Sequence, residues 1–229
     1  MINKANSKGI PHSHTLYLVI IRLPYLFFKF PYYSNPKILL CPSAQRERIP
    51  PQTSVGAGGP VDQPWGPFTT SSSRASYRRA AEKLGGKFMG SYGANEWIGD
   101  PSAGVKIGQA SQYWTSNMVQ GASRAPVFLG ARWVGGFPEE EDEPPPFRES
   151  MVGSGQMRRY CVDRHNGYVN VLFADYSVEE VGLKGLWTLK WHRNWERDDD
   201  GNYHPGPWTR AGGVRPEDWP DWMKNFKDY

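Results

Sequence analysis

The sequence predicts an α+β fold: an antiparallel β-sheet with a C-terminal β-meander, packed on helix and joined by long irregular loops. Three observations carry that expectation. Short apolar or alternating runs outnumber helical ones, and only one stretch carries full helix punctuation. The 229 residues include 25 Gly and 20 Pro, which favour turns over long helices. The 10 Trp and 12 Tyr supply aromatic surface for a real core, and the length suits one domain with irregular extensions.

Taken in order, Thr15 to Phe30 is apolar but carries Arg22, Pro24 and Lys29. A spanning helix needs about 20 mostly apolar residues, and Pro24 interrupts this run. It also lacks the small-residue cleavage site of a secretory signal. Residues 1–36 therefore read as an atypical segment. A degenerate membrane anchor, an amphipathic surface segment, a buried strand pair and a misplaced start all fit, and membrane association rests on this segment alone. Residues 37–197 read as the main domain and 198–229 as a Trp-rich irregular tail. Lys37–Cys41 (KILLC) predicts a short strand ended by Pro42, and residues 46–70 a loop. Ser71–Gly85 predicts the clearest helix, with serines for an N-cap, Gly85 for a C-terminal cap and its basic residues on a solvated face. Phe88–Ile98 predicts a strand and a tight turn, and Ala125–Trp133 a buried strand. Pro138–Pro146 (PEEEDEPPP) combines an acidic run with three consecutive prolines, a composition expected of an exposed loop.

Met157–Val181 predicts a three-stranded meander. Residues 157–164 supply its first strand, Asn166-Gly167 a hairpin turn, Tyr168–Ala174 the second strand, and Asp175-Tyr176 the next turn. On the second strand Val169, Val171 and Phe173 share one face. His165 and Asp175 invite a catalytic reading as base and orienting carboxylate. At ~3.3 Å per residue they stand ~25–33 Å apart at opposite ends of one strand, so no dyad forms. End-of-strand roles follow: His165 bonded to backbone groups beside the Asn-Gly turn, and Asp175 bonded to nearby N–H groups. In Gly182–Trp195, Leu183, Leu186, Trp187 and Trp191 recur at helical spacing, predicting a short amphipathic helix on the meander. Six of the ten Trp lie from Trp187 onward. The reading adopted is a clamp holding the tail to the sheet; the alternative is a carbohydrate- or surface-binding platform, which requires coplanar, exposed indoles.

Net charge is +4 with both signs interspersed, which is not a nucleic-acid footprint. The chain has no Gly-x-Ser-x-Gly, no His-Glu-x-x-His and no phosphate loop. A hydrolase built on His165, His192 or His204 with Asp198–Asp200 has no recognisable geometry, so a non-enzymatic chain with no catalytic residue and no cofactor is expected. Asp198, Asp200 and Asn202 are the candidates for a calcium ion, but the run lacks EF-hand spacing and its distal Glu, so a polar turn is expected. Cys41 and Cys161 do not form a CxxC pair, which argues against zinc. In a cytosolic protein they read as two buried thiols; in an exported chain, the reading adopted, they would bridge a loop of about 120 residues, worth about 4–5 kcal/mol.

The spacing His165, nine residues, Asp175, inside RHNGYVNVLFADYSVEEVGLKGLWTLKWHR, resembles the H-X9-DG domain at the C-terminus of bacterial prepilin-like (type II secretion pseudopilin-like) proteins. LLCPSA at Leu39–Ala44, GSYGANEW at Gly90–Trp97 and PVFLGARWVGGFP at Pro126–Pro138 are similar in the same order, extending the resemblance over roughly residues 37 to 195. The resemblance implies a pseudopilin-like sheet on helix, a structural role among protein partners in a type II secretion or other envelope assembly, and a place on the exported face of the inner membrane or in the periplasm. In some such proteins a C-terminal loop binds calcium. Two departures stand out. Tyr176 replaces the motif's glycine, which in a type I′ turn costs about 1–2 kcal/mol. The family's leader (a basic residue, Gly-Phe-Thr-Leu, a Glu and a long apolar helix) is matched only by Thr15-Leu16.

Overall fold

The computed structural model describes residues 36–46, 58, 60–99, 107–116, 119–148, 150, 155–198 and 200–228. The apolar N-terminal run and its anchor reading lie outside them. Two sheets organise the chain. In the smaller, β1 (Trp65–Thr69) pairs antiparallel with β2 (Lys87–Gly90). The larger has the order β5-β3-β4-β6-β7. Its members are β3 (Tyr92–Asn95), β4 (Pro126–Gly130), β5 (Gly135–Gly136), β6 (Tyr168–Phe173) and β7 (Val178–Gly182). All its pairings are antiparallel except β3 with β5. With helix α1 (Ala75–Lys83), this is an α+β protein.

The end of α1 follows from its residues. Gly85 takes the left-handed conformation (φ +80°), which a glycine tolerates, and Gly86 N–H reaches back to Ala81 O at 2.7 Å as a Schellman closure does. The start differs from expectation: Arg74 is the N-cap without a side-chain bond, because Ser72 Oγ accepts the Thr69 N–H at 2.9 Å instead. Tyr77, Ala80 and Ala81 pack with Phe68, Phe88 and Trp133. The helix thus rests on the β1–β2 sheet, not on the C-terminal meander.

Strand β6 behaves as its alternation requires. Val169, Val171 and Phe173 are buried and join Leu129, Trp97, Tyr160, Trp187 and Trp191 in the main core. The turn after β6 places Tyr176 N–H on Phe173 O at 3.0 Å and Phe173 N–H on Ser177 O at 2.9 Å. This is a three-residue loop whose last member sits in the left-handed region, not the two-residue type I′ turn. Tyr176 occupies that position with φ +70° and is 64% exposed, so it carries backbone strain without compensating burial. Tyr176→Gly is expected to stabilise the protein by about 1 kcal/mol, a rise of about 2–4 °C in Tm by calorimetry.

Other expectations are corrected. Lys37–Cys41 is not a strand: Pro36–Leu39 is a 3-10 helix, followed by a turn closed by Ala44 N–H on Cys41 O. Residues 157–164 are not a strand either. Met157–Arg159 is a 3-10 helix, and Met157 O accepts both the Tyr160 and Cys161 N–H groups, so local bonds replace a ladder. The third strand beside β6 and β7 is β4, from far upstream. The loop 46–70 contains β1 at its end, while 47–57 and 59 lie outside the described residues. The amphipathic helix over Gly182–Trp195 is a 3-10 helix at Leu183–Thr188 only, ending where Leu189 turns extended.

Candidate functional site

The H-X9-D block forms a scaffold with two differently anchored ends. Asn166 and Gly167 both adopt positive φ (53° and 89°), as the Asn-Gly signal demands. The segment before them is not a paired strand, however. Buried Asp163 shapes this end: its Oδ1 accepts the Gly167 N–H at 2.6 Å and its Oδ2 meets Arg148 at 2.8 Å. A side chain at 167 would also strike the Phe226 ring at 2.8 Å. His165 does not bond the turn backbone as expected. Its Nε2 lies 3.4 Å from Cys41 Sγ, joining the LLCPSA block to the His-Asn-Gly block across 124 residues. Asp175 does what a turn aspartate does: its Oδ1 accepts the Ser177 N–H at 3.0 Å and hydroxyl at 2.7 Å. These two bonds hold its carboxyl below the usual carboxylate range.

The disulfide expected between Cys41 and Cys161 is not formed. Both are buried free thiols with separate partners, His165 for Cys41 and Met223 for Cys161. Burial pushes the Cys161 thiol strongly up, away from thiolate reactivity. Cys41 is 1% exposed, so its imidazole contact is a tether rather than a nucleophile open to substrate. Beside it, the buried guanidinium of Arg164 binds only main chain. Nε donates to Val61 O (2.9 Å), Nη1 to Ser91 O (2.7 Å) and Ala131 O (2.8 Å), and Nη2 to Gln63 O (3.0 Å). Burial lowers its pKa to about 10.

The acidic proline-rich stretch is not an exposed loop. Pro138, Asp142, Pro144 and Pro145 are buried, while Glu141, Glu143 and Pro146 face solvent. Three distant indoles hold it: Trp97 Nε1 donates to Pro138 O (2.8 Å), Trp187 Nε1 to Asp142 O (2.7 Å) and Trp222 Nε1 to Pro145 O (2.8 Å). Asp142 Oδ2 in turn accepts N–H bonds from Glu139 (3.2 Å), Gln156 (2.7 Å) and Met157 (2.8 Å). Its Oδ1 lies where a Cβ at Gly155 would stand, so residue 155 has to be glycine. Composition could not reveal this, because the neutralising groups are backbone donors and indoles far away in sequence.

Next to this stretch is buried His192, between the rings of Trp97 (5.3 Å) and Trp195 (5.1 Å). Its Nε2 is 3.5 Å from Glu139 Oε2 and 3.9 Å from Glu140 Oε2. Burial, reinforced by the carboxylates of Glu141, Glu139 and Glu196, pushes Glu140 up to about 8 although it accepts the Glu196 N–H. Folded Glu140 therefore keeps its proton between its ordinary 4.5 and about 8, where the unfolded chain has lost it. Its stabilising contribution is complete below pH about 4.5 and is lost as pH rises to about 8. Glu140→Gln is expected to raise stability at pH 8.5 by about 2–4 kcal/mol and to change little at pH 4.5. Urea unfolding at the two pH values measures the difference.

The remaining sequence candidates separate. Trp187 and Trp191 are fully buried core residues. Among all ten Trp, eight are buried and Trp208 and Trp222 half-buried; the exposed coplanar indoles of a carbohydrate platform are not present. Asp198 closes a polar turn, accepting Asn202 N–H at 2.8 Å and Nδ2 at 3.3 Å. Asp200 is exposed beside it and Asp199 lies outside the described residues. Among the described residues no three or more His, Cys, Asp or Glu side chains gather as metal ligands, and no helix is long and apolar enough to cross a membrane. His165, His192 and His204 stand in three separate settings: against Cys41, between two indoles, and on the exposed surface. No family model, no curated protein and no solved structure matches the chain.

Proposed function

We propose that this chain is a non-enzymatic, pseudopilin-like structural and interaction domain, exported and held at the cell envelope as part of a type II secretion or surface assembly. One observation supports the reading above others: the four sequence blocks that carry the resemblance assemble with one another. GSYGANEW contributes β3, PVFLGARWVGGFP contributes β4 and β5, and the H-X9-D block contributes β6 and β7, making up the whole larger sheet. LLCPSA joins through the Cys41–His165 contact. His165 and Asp175 then act as architecture at the two ends of β6.

The interacting surface in this reading is the β6–β7 hairpin. Strand β7 is the sheet's last strand, and Val178 (69% exposed) and Tyr176 (64% exposed) stand out from it. Edge strands offer unpaired backbone groups to a partner, while Glu179 and Glu180 limit indiscriminate pairing. The unbridged thiols remove the disulfide from the argument, so export rests on the resemblance. Nucleic acid and cofactors play no part in this proposal. Fractionation of the native host with an antibody to the chain tests the location. Recovery with the envelope is expected, and recovery in the cytosol overturns export.

A further inference from the structure

A cavity of about 220 Å³ is lined by Gln120, Arg124, Lys190, Trp195, Arg197 and Tyr203, among others. Three cationic side chains line it, and Glu196 is its one carboxylate. Their existing partners leave the positive charge largely uncompensated. Arg124 donates to Thr188 O and lies 3.5 Å from Glu196. Arg197 donates to Gly201 O at 2.6 Å, and Lys190 makes a long 3.4 Å contact to Gln120 O and stands 5.4 Å over the Trp114 ring. A guanidinium has five N–H donors, so both arginines keep donors to offer. Trp195 is buried, and among the described residues its indole N–H has no hydrogen-bond partner.

We infer that this cavity is an oxyanion-binding site that takes a phosphate group, held by Arg124, Lys190 and Arg197 between the rings of Trp195 and Tyr203. Guanidinium forks match tetrahedral oxyanions, and cations gathered around one cleft raise the positive potential there. The crowding is visible in Lys190. Burial and then the charges of Arg197 and Arg124 hold its ammonium below the ordinary value, with Glu196 acting in the opposite sense. The backbone fixes the wall: Arg197 bridges Tyr203, and His204 N–H bonds Glu196 O at 2.8 Å. The phosphate can come from a free small molecule or from a lipid headgroup.

Calorimetric titration of the full chain with inorganic phosphate, and flotation with phosphatidylglycerol vesicles, separate those sources. Saturable binding to phosphate or to the vesicles is expected, weakening as salt is added. Lys190→Gln should weaken it by about tenfold and Glu196→Gln should tighten it by about threefold. Lys227→Gln, on the exposed tail, should leave it unchanged. Vesicle binding displaced by phosphate assigns a headgroup site, and phosphate binding without flotation assigns a free ligand. Wild-type protein that takes up neither probe, or binding indifferent to both cavity variants, overturns the site. Glu196→Gln keeps the test decisive should Lys190→Gln fold poorly.

Discussion

Arg164→Ala is expected to destabilise the protein by about 4 kcal/mol or more, a large share of the stability of an ordinary domain. Four of the five guanidinium donors bind carbonyls of Val61, Gln63, Ser91 and Ala131. Those carbonyls come from the approach to β1, the β2–β3 junction and the exit of β4, so one side chain ties the smaller sheet to the larger. Removing it takes that donor from the buried Ala131 carbonyl and from those of half-buried Val61 and Gln63, at about 1–3 kcal/mol each where water does not reach them. Ser91 O keeps the Ala131 N–H. Arg164→Lys is not conservative here: an ammonium has three donors and no fork. It should recover less than half of the loss. Guanidinium unfolding of the three proteins, read by tryptophan fluorescence, measures the series; equal midpoints would show that water replaces the guanidinium.

The second large effect is expected at Asp142. Asp142→Ala removes the acceptor of three backbone N–H groups, two of them on the 3-10 segment at Gln156 and Met157, and should cost about 3 kcal/mol or more. Asp142→Asn keeps one oxygen for those donors and should cost about 1 kcal/mol. The ordering Asn above Ala, with both below wild type, is the diagnostic result. Because Trp187 bonds the Asp142 carbonyl, the Ala variant should also shift tryptophan emission to the red while the Asn variant does not. If both variants keep the wild-type midpoint, the acidic stretch is the solvated loop that its composition suggests.

Legibility in the sequence followed the range of the interactions. Period-two alternation placed Val169, Val171 and Phe173 on the buried face of β6, because strand geometry alone decides it. Gly85 and Asn166-Gly167 were equally readable, since positive φ is a local demand. The failures are long-range. Residues 157–164 carry strand-like residues, yet Met157 O takes two local N–H groups and β4 occupies the place beside β6. The acidic run has the composition of a solvated loop, yet Trp97, Trp187 and Trp222 donate to its carbonyls from far away in sequence. His165 found Cys41 across the chain, and spacing within one block could not reveal that. Arg164, inside the most informative block, gave no sign of its role, because a main-chain-only guanidinium has no partner side chain to find in a sequence.

The central claim, a non-enzymatic interaction domain whose β6–β7 hairpin meets a partner at the envelope, is tested most directly by photo-crosslinking in the native host. A photoreactive residue at Val178 should give a discrete adduct with a second protein in the envelope fraction. The same residue at Phe147, which is 71% exposed but outside the hairpin, should not. No adduct from position 178, or equal labelling from both positions, would contradict the account.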